Sequence, residues 1–423
     1  MASSDRQRFE AELRACFGSV VELCAELIRT PSMNPPGDTA AVANLIERRL
    51  AAKSAITVRH VIAKEPAVNL IAKLSGERPG RRLIINGHLD TFPVGNPEPW
   101  TVDPLGGAIR DGRIYGRGAG DMKAGLAAAV FTALLLAEHR HALAGELVLT
   151  LVGDEETGGV WGTQYLLANE PDAVGDAMIS GDAGSPDVLR FGEKGQLWIE
   201  LEASGKSHHG AHVHLGQNAV ERLMGALRRL VEVRELPCPI PDQIRRAILA
   251  AGPRSELVSG SGETEALQRI TVNIGTIEGG TSVNLIPDRA VARVDIRFPP
   301  GLTVANVLAA IEERVGELQN IRIRALSSSE PNWTDPAHEI VALTAANAAK
   351  CLGRTPVCNM RLGFSDSRFY RYKGVPCVVY GPVPHGMGGP DEHVTIEDLT
   401  AVFYVHAMTA FDFLAGPGLG HPA

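Results

Sequence analysis

Three short segments concentrate side chains that can hold a metal or move a proton. Gly87-His88-Leu89-Asp90-Thr91 sets a carboxylate two residues after an imidazole. Gly116-Arg117-Gly118-Ala119-Gly120-Asp121-Met122-Lys123 carries an acid at the threshold of an Ala-rich run, and Gly153-Asp154-Glu155-Glu156-Thr157 holds three acids in succession. A further acid, Asp182, follows the run Ala177–Gly181. Imidazole with several carboxylates is the donor set that hard-to-borderline divalent cations prefer. The His88-x-Asp90 spacing lets the carboxylate accept from the non-ligating ring N–H and fix the tautomer. Glu155 and Glu156 can divide the work, one on a metal and one as base toward water. Each piece alone has a blander reading: His-x-Asp is usually a surface pair, and an acidic triplet is usually a solvated turn. Gly116-x-Gly118-x-Gly120 could also cradle a phosphate, but Asp121 stands where a dinucleotide site wants its third glycine. A carboxylate at a helix N-terminus suits the dipole and would repel a pyrophosphate. A cation is the better guest.

The elements that must position these groups alternate in kind. Phe9–Arg29 and Thr39–Lys53 show helical spacing. Val68–Leu74, Arg82–Asn86 and Glu146–Val152 read as strands, the last two running directly into His88 and Asp154. Between them Lys123–His139 is apolar on nearly every side, as a buried helix is. Alternation of this kind argues for a doubly wound α/β sheet, whose ligands bind beyond the carboxyl ends of its strands. The middle third changes character: strands Gly195–Ser204, Ile270–Ile277 and Ala290–Phe298 are punctuated by helices Asn218–Val233 and Thr303–Leu318. That pattern predicts a smaller α+β layer over residues 190–327, inserted between catalytic segments 1–189 and 328–423. Pro237–Gly262, rich in Pro, Gly and Ser, reads as a surface excursion. Helix Pro336–Leu352, strand Val375–Tyr380 and helix Thr395–Phe413 then resume the α/β pattern.

Composition narrows the classes. With 41 basic and 49 acidic residues the net charge is −8, which lacks the bulk attraction that nucleic acid or anionic membranes require. The most apolar helix, Ala124–Ala137, is short for a membrane span. The charged start carries no signal-peptide pattern, and six scattered cysteines form no CxxC pair. A cytoplasmic protein with a small-molecule substrate is expected.

Taken together, order and spacing resemble the metal-dependent aminoacylase and carboxypeptidase family that includes acetylornithine deacetylase, succinyl-diaminopimelate desuccinylase and glutamate carboxypeptidase. The resemblance implies two co-catalytic divalent metals per subunit, commonly zinc, sometimes cobalt or manganese. His88 and Asp182 would bind one, Asp121 would bridge, and Glu156 would bind the other. Glu155 would be general base and acid, and Asp90 would orient His88. The bond after the bridging Asp, Asp121–Met122, is often cis in that family. A lid signature follows. Four of the 13 histidines fall within Lys206–Leu215, a candidate metal site or a solvated turn. The family pattern selects His209, which would reach across a homodimer joined through the lid to stabilise the oxyanion. Asn284 and Arg297 match lid positions linked to substrate binding, and Gly363-Phe364-Ser365-Asp366-Ser367-Arg368 resembles a loop that contacts the substrate's carboxylate.

One position departs from that pattern. Relatives carry a last metal-binding His four residues before the Glu of a Pro-Asp-Glu segment, but here Gly388 holds that place ahead of Glu392. Either His385 swings in, or His393 does, or that metal has fewer protein ligands; the sequence favours His385. The function implied is hydrolysis of an amide C–N bond in an N-acyl amino acid or small peptide-like carboxylate by metal-activated water. A deaminase-type reaction on a non-peptide substrate in the same scaffold is the runner-up. A non-catalytic metabolite- or protein-binding homologue is the reading that Gly388 alone favours.

Overall fold

A computed structural model describes residues 2–415. The chain divides into two compact units, one of residues 1–191, 333–359 and 364–423, the other of residues 192–332 and 360–363.

The first unit is α/β. Its sheet is built on four mutually parallel strands in the order Ala144–Val152, Arg78–His88, Ala177–Ser180 and Cys377–Val379. Strands Ala67–Ser75 and Ile56–Lys64 extend it as an antiparallel edge. Leu83, Ile84, Ile85, Leu147, Val148 and Leu149 are essentially inaccessible. Such near-continuous apolar runs are what a parallel sheet covered on both faces demands. Helix Ala124–Glu138 packs against Ile396–Ala415 in one covering layer. The apolar stretch Ala119–Glu138 runs to 20 residues, longer than the sequence suggests, and 89% of its most apolar window is buried inside the fold. It is a core helix by burial.

The second unit is α+β. Four antiparallel strands stand in the order Thr271–Gly279, Arg289–Phe298, Gly195–Ser204 and Ile321–Ser329. Alternation puts Leu197, Ile199, Leu201, Ala292, Val294 and Ile296 on one buried face, under helices Ala219–Leu230 and Val304–Val315. The other face carries exposed Trp198 beside charged pairs, with Glu200 bridging Arg293 and Arg324 across three strands.

Two expectations give way. Phe9–Arg29 is not one helix: Ala2–Ala15 and Phe17–Ile28 meet at Cys16, next to the weak helix former Gly18. Pro237–Gly262 is not an open excursion either, because Asp242–Ser259 is an 18-residue helix containing Pro253. Ile244, Ile248, Ala251 and Ser255 repeat at helical spacing and are buried, and that stripe outweighs the turn-forming composition around it.

Candidate metal centre

Strand Arg78–His88 ends by delivering His88, which is 3% exposed, and the chain then turns through Leu89 and Asp90. His88 Nδ1 lies 2.8 Å from the main-chain oxygen of Asp90 and 3.6 Å from its carboxylate. Both groups of Asp90 face the ring, the carbonyl more closely than the carboxylate to which the sequence assigned the orienting role. The Asp90 carboxylate, fully buried, does more. Its oxygens accept from the backbone N–H of Glu155 and Glu156, each at 3.2 Å, and from Asn34 Nδ2 at 2.9 Å. It thus builds the turn that carries both glutamates. Asn34, in the loop before Thr39, went unnoticed in the sequence; its only signal is an amide in a Pro- and Gly-rich loop.

Asp121 arrives from the other side. The peptide bond Asp121–Met122 is cis, as the resemblance implies. Helix Ala124–Glu138 begins beside the end of strand Ala177–Ser180, and the backbones meet at two glycines. A Cβ on Gly125 would sit 2.3 Å from the Gly181 carbonyl oxygen, and one on Gly181 would sit 2.8 Å from Gly125 Cα. Only glycine permits this approach, which brings Asp121 and Asp182 to one place. His88, Asp121 and Asp182 each present a ligand atom within 4.8 Å of the others.

The chemistry of this group asks for a cation. The Asp90 carbonyl can only accept, so His88 Nδ1 carries a proton. Burial disfavours the charged ring, yet its bonds to Asp121 and Asp90 hold its pKa well above the ordinary value, so without an ion Nε2 donates a second proton to Asp121 Oδ1 at 2.9 Å. A divalent ion held by both residues would take the place of that proton. Beside Asp121 and Asp90, burial pushes the Glu156 carboxyl up to about 8, and Oε1 of Glu156 is buried without a hydrogen-bond partner. Glu155 is held well above the ordinary carboxylate range by burial and by Asp366, Asp182 and Glu156. Crowded acids of this kind are relieved by a divalent ion. The residues fit one.

The remaining predicted residues fall in several places. Ser365 and Arg368 are buried, with Arg368 Nη1 donating to the Ser365 carbonyl at 2.7 Å and its guanidinium lying over Phe364 and Phe369. Asp366, their neighbour, accepts from Thr163 Oγ1 at 2.6 Å, and burial raises its carboxyl to about 6. His209, Asn284, Arg297 and Gly363 belong to the second unit. There His209 bridges to Leu285, and Gly210 N donates to the Asn284 carbonyl at 2.7 Å, so His209 and Asn284 are neighbours. His209 Nδ1 accepts from Ala211 N, which leaves Nε2 as the donor. Arg297 directs Nε and Nη2 to Asp295. His385 is not among the clustered ligands: its ring stacks on His393, centroids 4.9 Å apart and 8° from parallel. Positive φ at Gly386 and Gly388 folds the loop back so that His385 and His393 bridge as antiparallel partners, side by side.

The Peptidase family M20/M25/M40 profile matches residues 84–412, and the chain belongs to that family. It is a metallohydrolase acting on amide C–N bonds. Succinyl-diaminopimelate desuccinylase of Rhodospirillum centenum is 32% identical over 410 residues, covering 94% of this chain and 97% of that one. The metallo-carboxypeptidase Sso-CP2 of Sulfolobus solfataricus superposes with a TM-score of 0.76 at 22% identity, over 92% of this chain and 98% of that one. The YXEP protein of Bacillus subtilis, described as a dinuclear metal binding peptidase, gives 0.67 at 16% identity, over 95% and 99%.

Proposed function

We propose that the chain is a deacylase that frees the amine of an N-acyl amino acid or small peptide-like carboxylate, with an N-succinyl group as the first acyl group to consider. The observation that carries the reading is the convergence of His88, Asp121 and Asp182, each presenting a ligand atom within 4.8 Å of the others. His88, Asp121 and Asp182 would hold one divalent ion, and Asp121 with Glu156 would hold a second. Zinc suits an imidazole–carboxylate set, with cobalt and manganese as alternatives. A bound ion supplies Lewis-acid polarisation of a carbonyl and a lower pKa for water.

The chain's own groups do the rest. Glu155 takes a proton from the attacking water and returns it to the leaving nitrogen. Its raised carboxyl, drawn back down by a neighbouring cation, suits a base that must also give its proton up. The Asp90 carboxylate fixes the Glu155 backbone, so the base is held in place before substrate arrives. His209 offers Nε2–H to the developing oxyanion. Arg368, whose guanidinium lies over Phe364 and Phe369 beside Asp366, is the group proposed to bind a substrate carboxylate. Asn284 and Arg297 complete the binding set.

A homodimer through the second unit is supported by its exposed apolar residues, Val213 at 72%, Ile277 at 56% and Val283 at 103%. A reducing cytoplasmic setting accords with six free cysteines. The test is amine release from N-succinyl amino acids, N-acetyl amino acids and dipeptides, with and without chelator. Chelator-sensitive release from at least one class is expected. Silence across all three, with metal bound, would refute the proposal; ammonia from a non-peptide amine would favour the deaminase-type reading.

A further inference from the structure

The two metal positions are unequally supplied. Among the described residues, His88, Asp121 and Asp182 are the group that brings three ligand atoms within 4.8 Å of one another. The second position has Asp121 and Glu156, and the Glu156 Oε1 is buried without a partner. The segment Pro384–Glu392, where the resemblance places a further ligand, lies against Gly120: a Cβ there would sit 2.6 Å from Pro384 Cα.

The carboxylates of that segment are engaged elsewhere, and its histidine packs away from the cluster. Glu392 is ion-paired with the buried Arg117 and accepts from Gly120 N at 3.4 Å. Asp391 takes Thr101 N at 2.8 Å and Thr101 Oγ1 at 2.9 Å. Gly388 has no side chain, and its carbonyl accepts from Arg117 Nη2 at 3.0 Å. His385 is stacked on His393, and the charged groups facing it are His393, Asp398 and Arg113, none of them in the metal cluster. Gly389 N donates to Gly386 O at 2.8 Å, and His393 N donates to His385 O at 3.0 Å. The backbone of the segment is tied at both ends and in the middle, so His385 could reach the cluster only by leaving its stack on His393 and moving that backbone.

We propose that this chain retains one divalent ion, on His88, Asp121 and Asp182, and that the second ion binds at least about 100-fold more weakly and exchanges with solvent. Loss of an outer partner of a metal ligand already costs about 10–100-fold in affinity, and here a whole ligand is missing. The neighbour described as dinuclear shares the fold. Occupancy of the second position would then follow the free metal concentration, giving the enzyme a metal-responsive step.

The inference rests on the metal assignment above, and counting ions separates the two. The full chain is stripped with chelator, reloaded with excess zinc, dialysed and counted by elemental analysis; calorimetric titration then gives both dissociation constants. One retained ion per chain, with a second constant at least 100-fold weaker, is expected. Two retained ions would overturn the inference and leave the assignment standing, whereas none retained would overturn both. Two variants fix the positions. Glu156→Gln should still retain one ion, and its loss would mean that the resident ion sits on Glu156. His385→Ala should leave both constants unchanged within about threefold. A tenfold or greater loss at the second position would make His385 a ligand and overturn the argument.

Discussion

Truncating Asp90 separates two functions that its neighbourhood to His88 would otherwise confuse. Asp90→Ala removes the carboxylate and leaves the main-chain carbonyl that holds His88 Nδ1 at 2.8 Å. The ring keeps its tautomer, so the ion on His88, Asp121 and Asp182 should stay. What is lost is the acceptor for Glu155 N, Glu156 N and Asn34 Nδ2. A hydrogen bond to a charged group contributes about 1.5–3 kcal/mol, so the two that organise the glutamates amount to about 3–6 kcal/mol. If that ordering is spent on placing the base, kcat/KM should fall by about 10²–10⁴, since 1.36 kcal/mol is tenfold. Asp90→Asn, which keeps the shape and one acceptor oxygen, should fall between wild type and Ala. The assay pairs retained metal per chain with kcat/KM for a chelator-sensitive substrate. The reasoning fails if Asp90→Ala loses metal as fully as His88→Ala while activity per bound ion is unchanged. The carboxylate would then work through His88.

Other variants probe other links. Glu155→Gln should keep metal and fold and lose about 10²–10⁴ in kcat, as removal of a general base does; retention of more than a tenth would end that role. His209→Ala should lower kcat with metal content unchanged, and mixing it with Glu155→Gln subunits should restore some activity if His209 acts in trans; verified mixed dimers with none would exclude that. Gly125→Ala, whose new Cβ would meet Gly181 O at 2.3 Å, should force the backbones apart and weaken metal retention at least tenfold, measurable by titration. His406, fully buried with Nε2 at 2.8 Å from Tyr380 O, has its pKa lowered by burial to about 4. The unfolded chain therefore binds the extra proton first, and this histidine's share of stability is complete above pH 6.5 and lost as pH falls toward 4. That loss is worth up to about 3 kcal/mol, so urea unfolding of His406→Gln should show a flatter acid limb than wild type; parallel limbs would contradict the assignment.

Local rules carried the sequence a long way. Runs such as Leu83–Ile85 and Leu147–Leu149 read as buried strands because a parallel sheet covered on both faces needs unbroken apolar sequence. His88 and Asp154 could be placed at strand ends because the runs stop at them, and Asp121 could be separated from a phosphate loop by its own charge. The helix over Asp242–Ser259 was hidden because proline, glycine and serine outweigh a four-residue stripe when each residue is judged alone. Burial of Ile244 and Ile248 is a tertiary fact.

The site divides the same way. Residue types and spacing determined that imidazole and carboxylates gather at the strand ends, since each lies within a few residues of the element that carries it. Which atoms face which was decided by the fold alone. The sequence could not show that Asp90 holds His88 by its carbonyl and the glutamate turn by its carboxylate, because both groups belong to one residue and only three-dimensional placement tells them apart. Nor could it show that Gly125 and Gly181 meet, 56 residues apart, or that Arg117 pins the Gly388 carbonyl, 271 residues away. Hydrogen bonds are short-ranged and directional, and partners this far along the chain become neighbours only after the sheet and its helices have packed.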